Sequence, residues 1–189
     1  MSGARLSSAV LNPLLVSEML SHARREAPRE CCGVLTLAGP AAVHTHGAPG
    51  AQAEPDRPGG PLPLQYHPAR NQASSASRFE MDPDDLLAIL DGPDADAARL
   101  WGLFHSHPRN EAAPSALDLA NAFYPEAVYL ILSLRPGADP GRGLRLEDAV
   151  LRGFSIRDGE AKEVALALAP PAGVTPGGAP PPLSTDSES

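Results

Sequence analysis

Residues 99–118 read RLWGLFHSHPRNEAAPSALD, and this stretch organises the interpretation of the whole chain. Its first part, Arg99–His105, is a short and nearly continuous apolar run, which is typical of a buried strand. Its last residues begin a segment, Ser115–Phe123, in which apolar side chains recur at helical spacing. The stretch therefore predicts a strand, a polar loop and a helix in succession.

Three polar residues of this stretch have the chemistry of metal ligands. His105 and His107 are separated by one residue at the end of the predicted strand, so their side chains point to the same face and both imidazoles can reach one ion. Asp118 falls in the first turn of the following helix and can supply a carboxylate. Three protein ligands leave one position open, as in a catalytic zinc site. We therefore predict one zinc ion per chain.

Structural explanations of the same residues exist. Ser115-x-x-Asp118 is also the pattern of a capping box, with which a helix satisfies its first amide groups. A His-x-His pair is common by chance, and His44–His46 has the same spacing with Arg57 where the aspartate would fall. We assign no metal to that second pair. Only the first pair is joined by Pro108, Ser115 and Asp118, and this conjunction favours a metal site.

Other segments predict the elements that surround this centre. Asn12-Pro13 is a favourable helix start, so we expect a helix over residues 13–27. Asp82-Pro83 predicts the start of a second helix, which ends before Gly92. Asp158-Gly159 predicts a hairpin turn. Further candidate strands are Cys32–Leu37, Ala42–His46, Ala127–Leu134, Ala149–Ile156 and Glu163–Leu168.

Length and composition favour a single domain. The 189 residues suffice for one substantial core, which we place in residues 1–169. Residues 47–70 are rich in Pro and Gly and predict a long surface loop. Residues 170–189 have few large apolar side chains, so they predict a disordered tail.

Charge and cysteine content limit the partners and the compartment. The net charge is −8 and the basic residues are scattered, so we expect no nucleic-acid partner. No apolar run approaches membrane-spanning length, so we expect no membrane association. The only cysteines are the neighbours Cys31 and Cys32, which fits a reducing, cytoplasmic location. Neither cysteine has a recognisable base nearby, so packing roles are preferred to nucleophilic ones.

An upstream glutamate completes a recognisable pattern. Glu30 precedes Cys32-Gly33, and the order Glu, Cys-Gly, His-x-His-Pro and Ser-x-x-Asp resembles the signature of the JAMM (MPN-plus) metallopeptidase family. Residues 71–74, 79–83 and 152–156 resemble its compact bacterial branch, which is similar to sulfur-carrier-protein peptidases of the CysO-cysteine type. The likeness covers about residues 10–168. Glu111 stands where a Pro is frequent in the motif loop.

The resemblance implies a fold and a site. The fold would be α/β (α+β), a single MPN/JAMM domain with a mixed, mostly antiparallel sheet flanked by helices in a cytidine-deaminase-like layout. Glu30 would be the general base, and Ser115 would donate a hydrogen bond to the oxyanion. His105, His107 and Asp118 would be the zinc ligands.

The resemblance also implies an activity. The chain would be a zinc peptidase or isopeptidase that hydrolyses the amide bond after the Gly-Gly terminus of a ubiquitin-like sulfur-carrier protein (ThiS- or MoaD-like), or of its conjugates. Two alternatives remain open at this point: a non-catalytic MPN scaffold that binds protein partners, and a zinc amidohydrolase that acts on small molecules. The oligomeric state is not readable from the chain.

Overall fold

The computed structural model describes residues 6–37, 61–73, 75, 77–91, 99–135 and 143–170. The helices in these ranges are α1 (Pro13–Glu26), α2 (Pro83–Leu90) and α3 (Ala116–Ala120). The strands are β1 (Ser8–Leu11), β2 (Cys32–Leu37), β3 (Leu64–Ala69), β4 (Arg99–His107), β5 (Val128–Ser133), β6 (Leu144–Arg145), β7 (Val150–Arg157) and β8 (Glu160–Leu168).

One sheet contains all of these strands. Its order is β1-β8-β7-β5-β4-β2-β3, with β6 paired to β7. The pairs β4/β5 and β1/β8 are parallel, and the other pairs are antiparallel. Leu62, just before β3, donates its backbone N–H to the Val10 carbonyl of β1 at 3.1 Å, so the two edges of the curled sheet meet there. The predicted α/β (α+β) fold with a mostly antiparallel sheet is confirmed.

Helix α1 covers one face of the sheet for reasons visible in its sequence. The Asn12 side chain accepts a hydrogen bond from Leu14 N at 2.9 Å, and Pro13 occupies the first turn, where it costs no helical hydrogen bond. The buried side of the helix follows the 3.6-residue period. It packs in the main core with apolar side chains of β2, β4 and β5, and its buried apolar residues are Leu15, Val16, Met19 and Ala23.

The structure corrects three expectations about the elements. The loop predicted over residues 47–70 is wrong for Leu64–Ala69, which forms β3 and pairs with β2 along its whole length. Pro68 favoured a loop in the prediction because Pro lacks a backbone N–H for sheet pairing. However, β3 is an edge strand, which tolerates such a residue. Strand β1 was not predicted. Helix α3 ends at Ala120, not at Phe123, and Phe123 is 75% exposed.

Some expectations fall outside the described residues. They include the candidate strand Ala42–His46, residues 47–60 of the predicted loop, and the predicted tail except Pro170.

The Asp158-Gly159 hairpin turn is confirmed, with both residues at positive φ (53° and 75°), as a type I′ turn requires. None of the helices in the described ranges has the length and hydrophobicity needed to cross a bilayer.

Candidate functional site

Strands β2 and β4 bring the upstream glutamate beside the two histidines. Cys32 pairs with His105, and Ser106 N donates to the Cys31 carbonyl at 3.0 Å. Glu30 directly precedes Cys31, so this pairing brings Glu30 to the end of β4 that carries the histidines. His105 and His107 lie on the same face of β4, and Glu30, His105 and His107 are all buried.

The two imidazoles turn the same ring nitrogen, Nε2, toward each other. The Nε2 atoms of His105 and His107 lie 3.0 Å apart. On its other side, Nδ1 of His107 lies 2.7 Å from the carbonyl oxygen of Glu111, which can only accept, so Nδ1 carries the proton. Burial, together with the neighbouring His105, lowers the pKa of His107. His107 is thus held neutral with Nε2 free to ligate a metal.

Asp118 faces both histidines from the start of α3. Its Oδ1 lies 3.6 Å from His105 Nε2, and its Oδ2 lies 3.8 Å from His107 Nε2. Burial alone would raise the pKa of Asp118, but hydrogen bonds and charge from His105 and Ser115 outweigh it and hold that pKa well below its usual range. The carboxylate is therefore ionised at neutral pH.

The capping box weighed as an alternative is also present. Ser115 N donates to Asp118 Oδ2 at 2.7 Å, and Asp118 N donates to Ser115 Oγ at 3.2 Å. The same carboxylate thus caps the helix and faces the histidines. The structural and the metal-binding explanations of this pair do not exclude each other, because the cap fixes the direction of the carboxylate.

The three side chains fit a single divalent ion. One possible ligand atom from each of His105, His107 and Asp118 lies within 4.8 Å of the others. Two imidazoles and one carboxylate are a donor set that proteins use for catalytic zinc. The fold therefore brings the predicted ligands together, with His105 Nε2 at 3.0 Å from His107 Nε2 and at 3.6 Å from Asp118 Oδ1.

Glu30 has the protonation behaviour of a general base. Its side chain is buried, and burial raises its pKa from the usual 4.5 to about 7, with a further contribution from the negative charge of Asp118. A carboxylate with such a pKa can both accept and release a proton near neutral pH. The influence of Asp118 also shows that Glu30 lies near the ligand cluster.

Comparison with known proteins identifies the family. Residues 13–146 match the prokaryotic homologs of the JAB domain. The chain belongs to this prokaryotic JAB family. It is 32% identical over 155 residues to a CysO-cysteine peptidase of Mycobacterium tuberculosis (strain ATCC 25618 / H37Rv), a match covering 82% of this chain and 86% of the relative. It is 34% identical over 120 residues to a desampylase of Haloferax volcanii, covering 61% of this chain and 73% of the relative.

A solved structure supports the fold of this JAB domain. The solution structure of a protein from Desulfitobacterium hafniense is 31% identical and superposes with a TM-score of 0.59. The match covers 85% of this chain and 92% of that protein. The family resemblance inferred from the Glu, His-x-His-Pro and Ser-x-x-Asp motifs is thus confirmed, and relatives of this JAB domain are named as peptidases and desampylases.

Two residues of the JAB site were not predicted to have a role in it. Phe79 stacks on His105, with ring centroids 4.5 Å apart and an interplanar angle of 24°. Asn71 donates from Nδ2 to the Glu30 carbonyl at 2.8 Å. Both residues lie in segments that resemble the bacterial branch. However, no spacing rule connects them with a strand that begins twenty residues or more downstream, at Arg99.

The cysteines of this JAB domain are suited to packing. Cys31 and Cys32 are 1% and 0% exposed, and both are free. Burial raises the pKa of Cys31 to about 11 and that of Cys32 to about 12, so both are thiols at neutral pH. A thiol with so little thiolate is a poor nucleophile, which supports the packing role expected from the sequence.

Proposed function

We propose that this JAB protein is a zinc-dependent peptidase or isopeptidase that cleaves the amide bond after the C-terminal Gly-Gly of a ubiquitin-like sulfur-carrier protein or of its conjugates. One observation carries the proposal: buried Glu30, with its pKa raised to about 7 by burial and by the nearby Asp118, lies close to three side chains that fit one metal ion. The names of the relatives, a CysO-cysteine peptidase and a desampylase, support hydrolysis of such conjugates.

The metal site in this proposal consists of His105 Nε2, His107 Nε2 and the Asp118 carboxylate. A bound zinc ion would supply a Lewis acid that lowers the pKa of water and polarises a carbonyl. The chain prepares for this by fixing the tautomer of His107 through Glu111 and the direction of Asp118 through Ser115. Such supporting contacts commonly change metal affinity or activity 10- to 100-fold when removed.

Glu30 moves the proton. Its carboxylate accepts a proton from the attacking water as the new carbon–oxygen bond forms, and it then delivers that proton to the amine nitrogen as the carbon–nitrogen bond breaks. The two transfers need a group whose acid and base forms are both accessible near neutral pH, and a pKa of about 7 meets this requirement.

Ser115 stabilises the oxyanion. Its Oγ accepts a hydrogen bond from Asp118 N at 3.2 Å, and its hydroxyl proton is directed at the Asp118 carboxylate in the substrate-free site. In the proposal this proton is donated to the substrate oxygen as negative charge develops on it. Loss of a comparable donor costs roughly 3–4 kcal/mol, or 10²–10³ in rate.

The substrate class follows from the need for an extended, slender tail. A peptide that lies along a strand edge gains main-chain hydrogen bonds, and glycine approaches a buried site without a clashing Cβ. The sulfur-carrier assignment, ThiS- or MoaD-like, belongs to this proposal. So does a cytoplasmic location, which two buried free cysteines support because reducing compartments keep thiols unpaired.

A cleavage assay tests the proposal. The purified protein is incubated with a ubiquitin-like sulfur carrier that bears a cysteine or a lysine-linked peptide after Gly-Gly, with and without a zinc chelator. Mass spectrometry should show cleavage immediately after Gly-Gly that stops on chelation and returns when zinc is added. A matched substrate ending in Ala-Ala serves as the control.

Three results would contradict the proposal. Cleavage that persists without metal would remove the zinc mechanism, and cleavage of the Ala-Ala substrate at the same rate would remove the Gly-Gly preference. Stoichiometric zinc binding without any cleavage would favour the scaffold alternative.

A further inference from the structure

A loop between β3 and α2 forms a wall of the candidate site. This Phe79 loop, of which residues 71–73, 75 and 77–81 are described, is closed by an antiparallel bridge between Asn71 and Met81 and by a hydrogen bond from Gln72 N to Glu80 O at 2.8 Å. It places Phe79 flat against the His105 imidazole. The position of this loop therefore determines what surrounds one of the proposed metal ligands.

The Asn71 side chain fastens this loop with all of its hydrogen-bonding groups. Its Oδ1 accepts from Ala73 N at 2.9 Å and from Glu80 N at 3.0 Å, which closes the loop. Its Nδ2 donates to Arg78 O at 3.4 Å and, across to another part of the chain, to the Glu30 carbonyl at 2.8 Å. One amide thus joins the loop that contacts His105 to the residue proposed as the base.

Arg29 makes the reciprocal connection. Its Nη2 donates to the Asn71 carbonyl at 3.0 Å and to the Ala73 carbonyl at 3.1 Å. Arg29 thus donates hydrogen bonds to the segment 71–73, and the neighbouring Glu30 accepts one from it. Cys31, the next residue, is held separately by Ser106 of β4 through its backbone N–H and carbonyl.

The Glu30 backbone depends on this hydrogen bond from Asn71 because Glu30 lies outside the strand. Strand β2 begins at Cys32, and α1 ends at Glu26, so the sheet ladder does not reach Glu30. Its carbonyl instead accepts from Asn71. Misplacement of a general base by about 1 Å can lower the reaction rate on the order of 10²-fold. The position of the Glu30 backbone is therefore important for the proposed reaction.

We propose that Asn71 is a positioning residue that couples the Glu30 backbone to the Phe79 loop, and so sets the base relative to His105. This inference rests on the proposed function of Glu30. An amide suits the position because its oxygen accepts from two backbone N–H groups while its nitrogen, a separate atom, donates to the Glu30 carbonyl. A carboxylate keeps the acceptors and loses the donor, and a methyl group loses both.

Two substitutions separate these two kinds of contact. Asn71→Asp keeps the acceptors for Ala73 and Glu80, whereas Asn71→Ala removes every side-chain hydrogen bond. Asn12→Asp is the matched control, because it makes the same chemical change at a helix cap whose Oδ1 accepts from Leu14 N. For each variant we would measure kcat, KM, zinc content and hydrogen exchange of the backbone amides in residues 30–32 and 72–81.

The expected pattern distinguishes positioning from general support. Asn71→Asp should lower kcat about 10- to 100-fold with KM within about twofold and full zinc content. Its exchange should increase at residues 30–32 while Ala73 and Glu80 stay protected. Asn71→Ala should increase exchange in both regions, and Asn12→Asp should match the unmodified protein in every measurement.

Two results would overturn the inference. Unchanged kcat in Asn71→Asp would show that the donor to Glu30 is dispensable. Equal loss of zinc, loop protection and activity in both Asn71 variants would indicate a structural role only. If the unmodified protein cleaves no conjugate, the proposed function fails, whereas the exchange pattern still decides whether Asn71 couples the two segments.

Discussion

The Nδ1 atom of His107 lies 2.7 Å from the carbonyl oxygen of Glu111. This contact ties the imidazole to the loop that leads from β4 to α3, and it leaves Nε2 as the atom that faces His105. The Glu111 side chain adds an ion pair with Arg135 at 3.2 Å, so this loop is anchored to the end of β5. The position at which the sequence departs from the frequent Pro of the motif thus supplies a backbone contact that any residue type could make.

Substitution at His107 and at Glu30 should separate metal binding from proton transfer. His107→Ala removes a ligand, so we expect loss of zinc and loss of activity. Glu30→Gln removes only the carboxylate that accepts the proton, so zinc content should be unchanged and turnover should fall below detection. Zinc is measured by elemental analysis and turnover with the Gly-Gly conjugate. Full activity of a zinc-loaded Glu30→Gln protein would remove the assigned base.

The stability of the metal-free protein should depend on pH through Glu30. Folding raises the pKa of Glu30 from 4.5 to about 7, so the native state binds this proton more tightly than the unfolded chain does. Protonated Glu30 therefore contributes favourably to the free energy of unfolding at low pH, and this contribution is lost as the pH rises from about 4.5 to about 7. We therefore expect metal-free Glu30→Gln to be more stable than the unmodified protein at pH 8 by about 1–3 kcal/mol, with little difference at pH 4.

Urea unfolding at both pH values measures this effect. Each protein is first treated with chelator, because a bound cation would favour the ionised carboxylate. Equal stabilities of the two proteins at pH 8 would show that the Glu30 carboxylate is well solvated in the folded state.

Loss of the Phe79 ring should weaken metal binding without abolishing it. The stacked ring restrains the plane of the His105 imidazole, and an aromatic pair contributes about 0.5–1.5 kcal/mol beyond its burial. Phe79→Ala should therefore lower zinc affinity by roughly 2- to 12-fold, measured by competition with a chromophoric chelator. Phe123→Ala, at a site that is 75% exposed, is the matched control and should leave the affinity unchanged. The same affinity in both variants would contradict the role of the stack.

Gly102 should be intolerant of a side chain for steric reasons. A Cβ built at Gly102 would lie 2.6 Å from the Val128 carbonyl oxygen of the neighbouring strand. Gly102→Ala should therefore destabilise the fold by roughly 1–3 kcal/mol, measured by urea unfolding. Gly159→Ala is the comparison. Apart from its chain neighbours, no described residue has an atom within 4 Å of the added carbon, but φ is +75°, so only backbone strain of about 1–2 kcal/mol is expected. Unchanged stability of the Gly102→Ala protein would mean that β4 and β5 can separate locally.

The ligand cluster was predictable because its determinants are local. The pair His105 and His107 follows from strand alternation. Asp118, which is separated from His107 by ten residues, follows from the helix start at Ser115. Those rules act within twenty residues of sequence, and the structure places the three side chains within reach of one another. Glu30 required a family resemblance, because only the pairing of β2 with β4 brings this distant residue to the end of β4 that carries the histidines.

Other features depend on contacts that no local pattern contains. Strand β3 carries Pro68 and was hidden in a Pro-rich stretch, but it is stabilised by its pairing with β2. The contacts of Asn71 and Phe79 with the site arise because the turn after β3 folds back over the end of β2. Such packing depends on the finished sheet, so it could be found only in three dimensions.

Pairing of β1 with β8 also bears on the order in which the sheet is built. Ala165 N donates to Ser7 O, and Ala169 N donates to Leu11 O, at 2.9 and 2.8 Å. Strand β1 thus pairs with a strand that is synthesised more than 150 residues later. Pairings so distant along the chain slow folding, because a long loop must close before any contact compensates for its entropy. Residues 8–11 consequently complete their edge of the sheet only after nearly all of the domain has been translated.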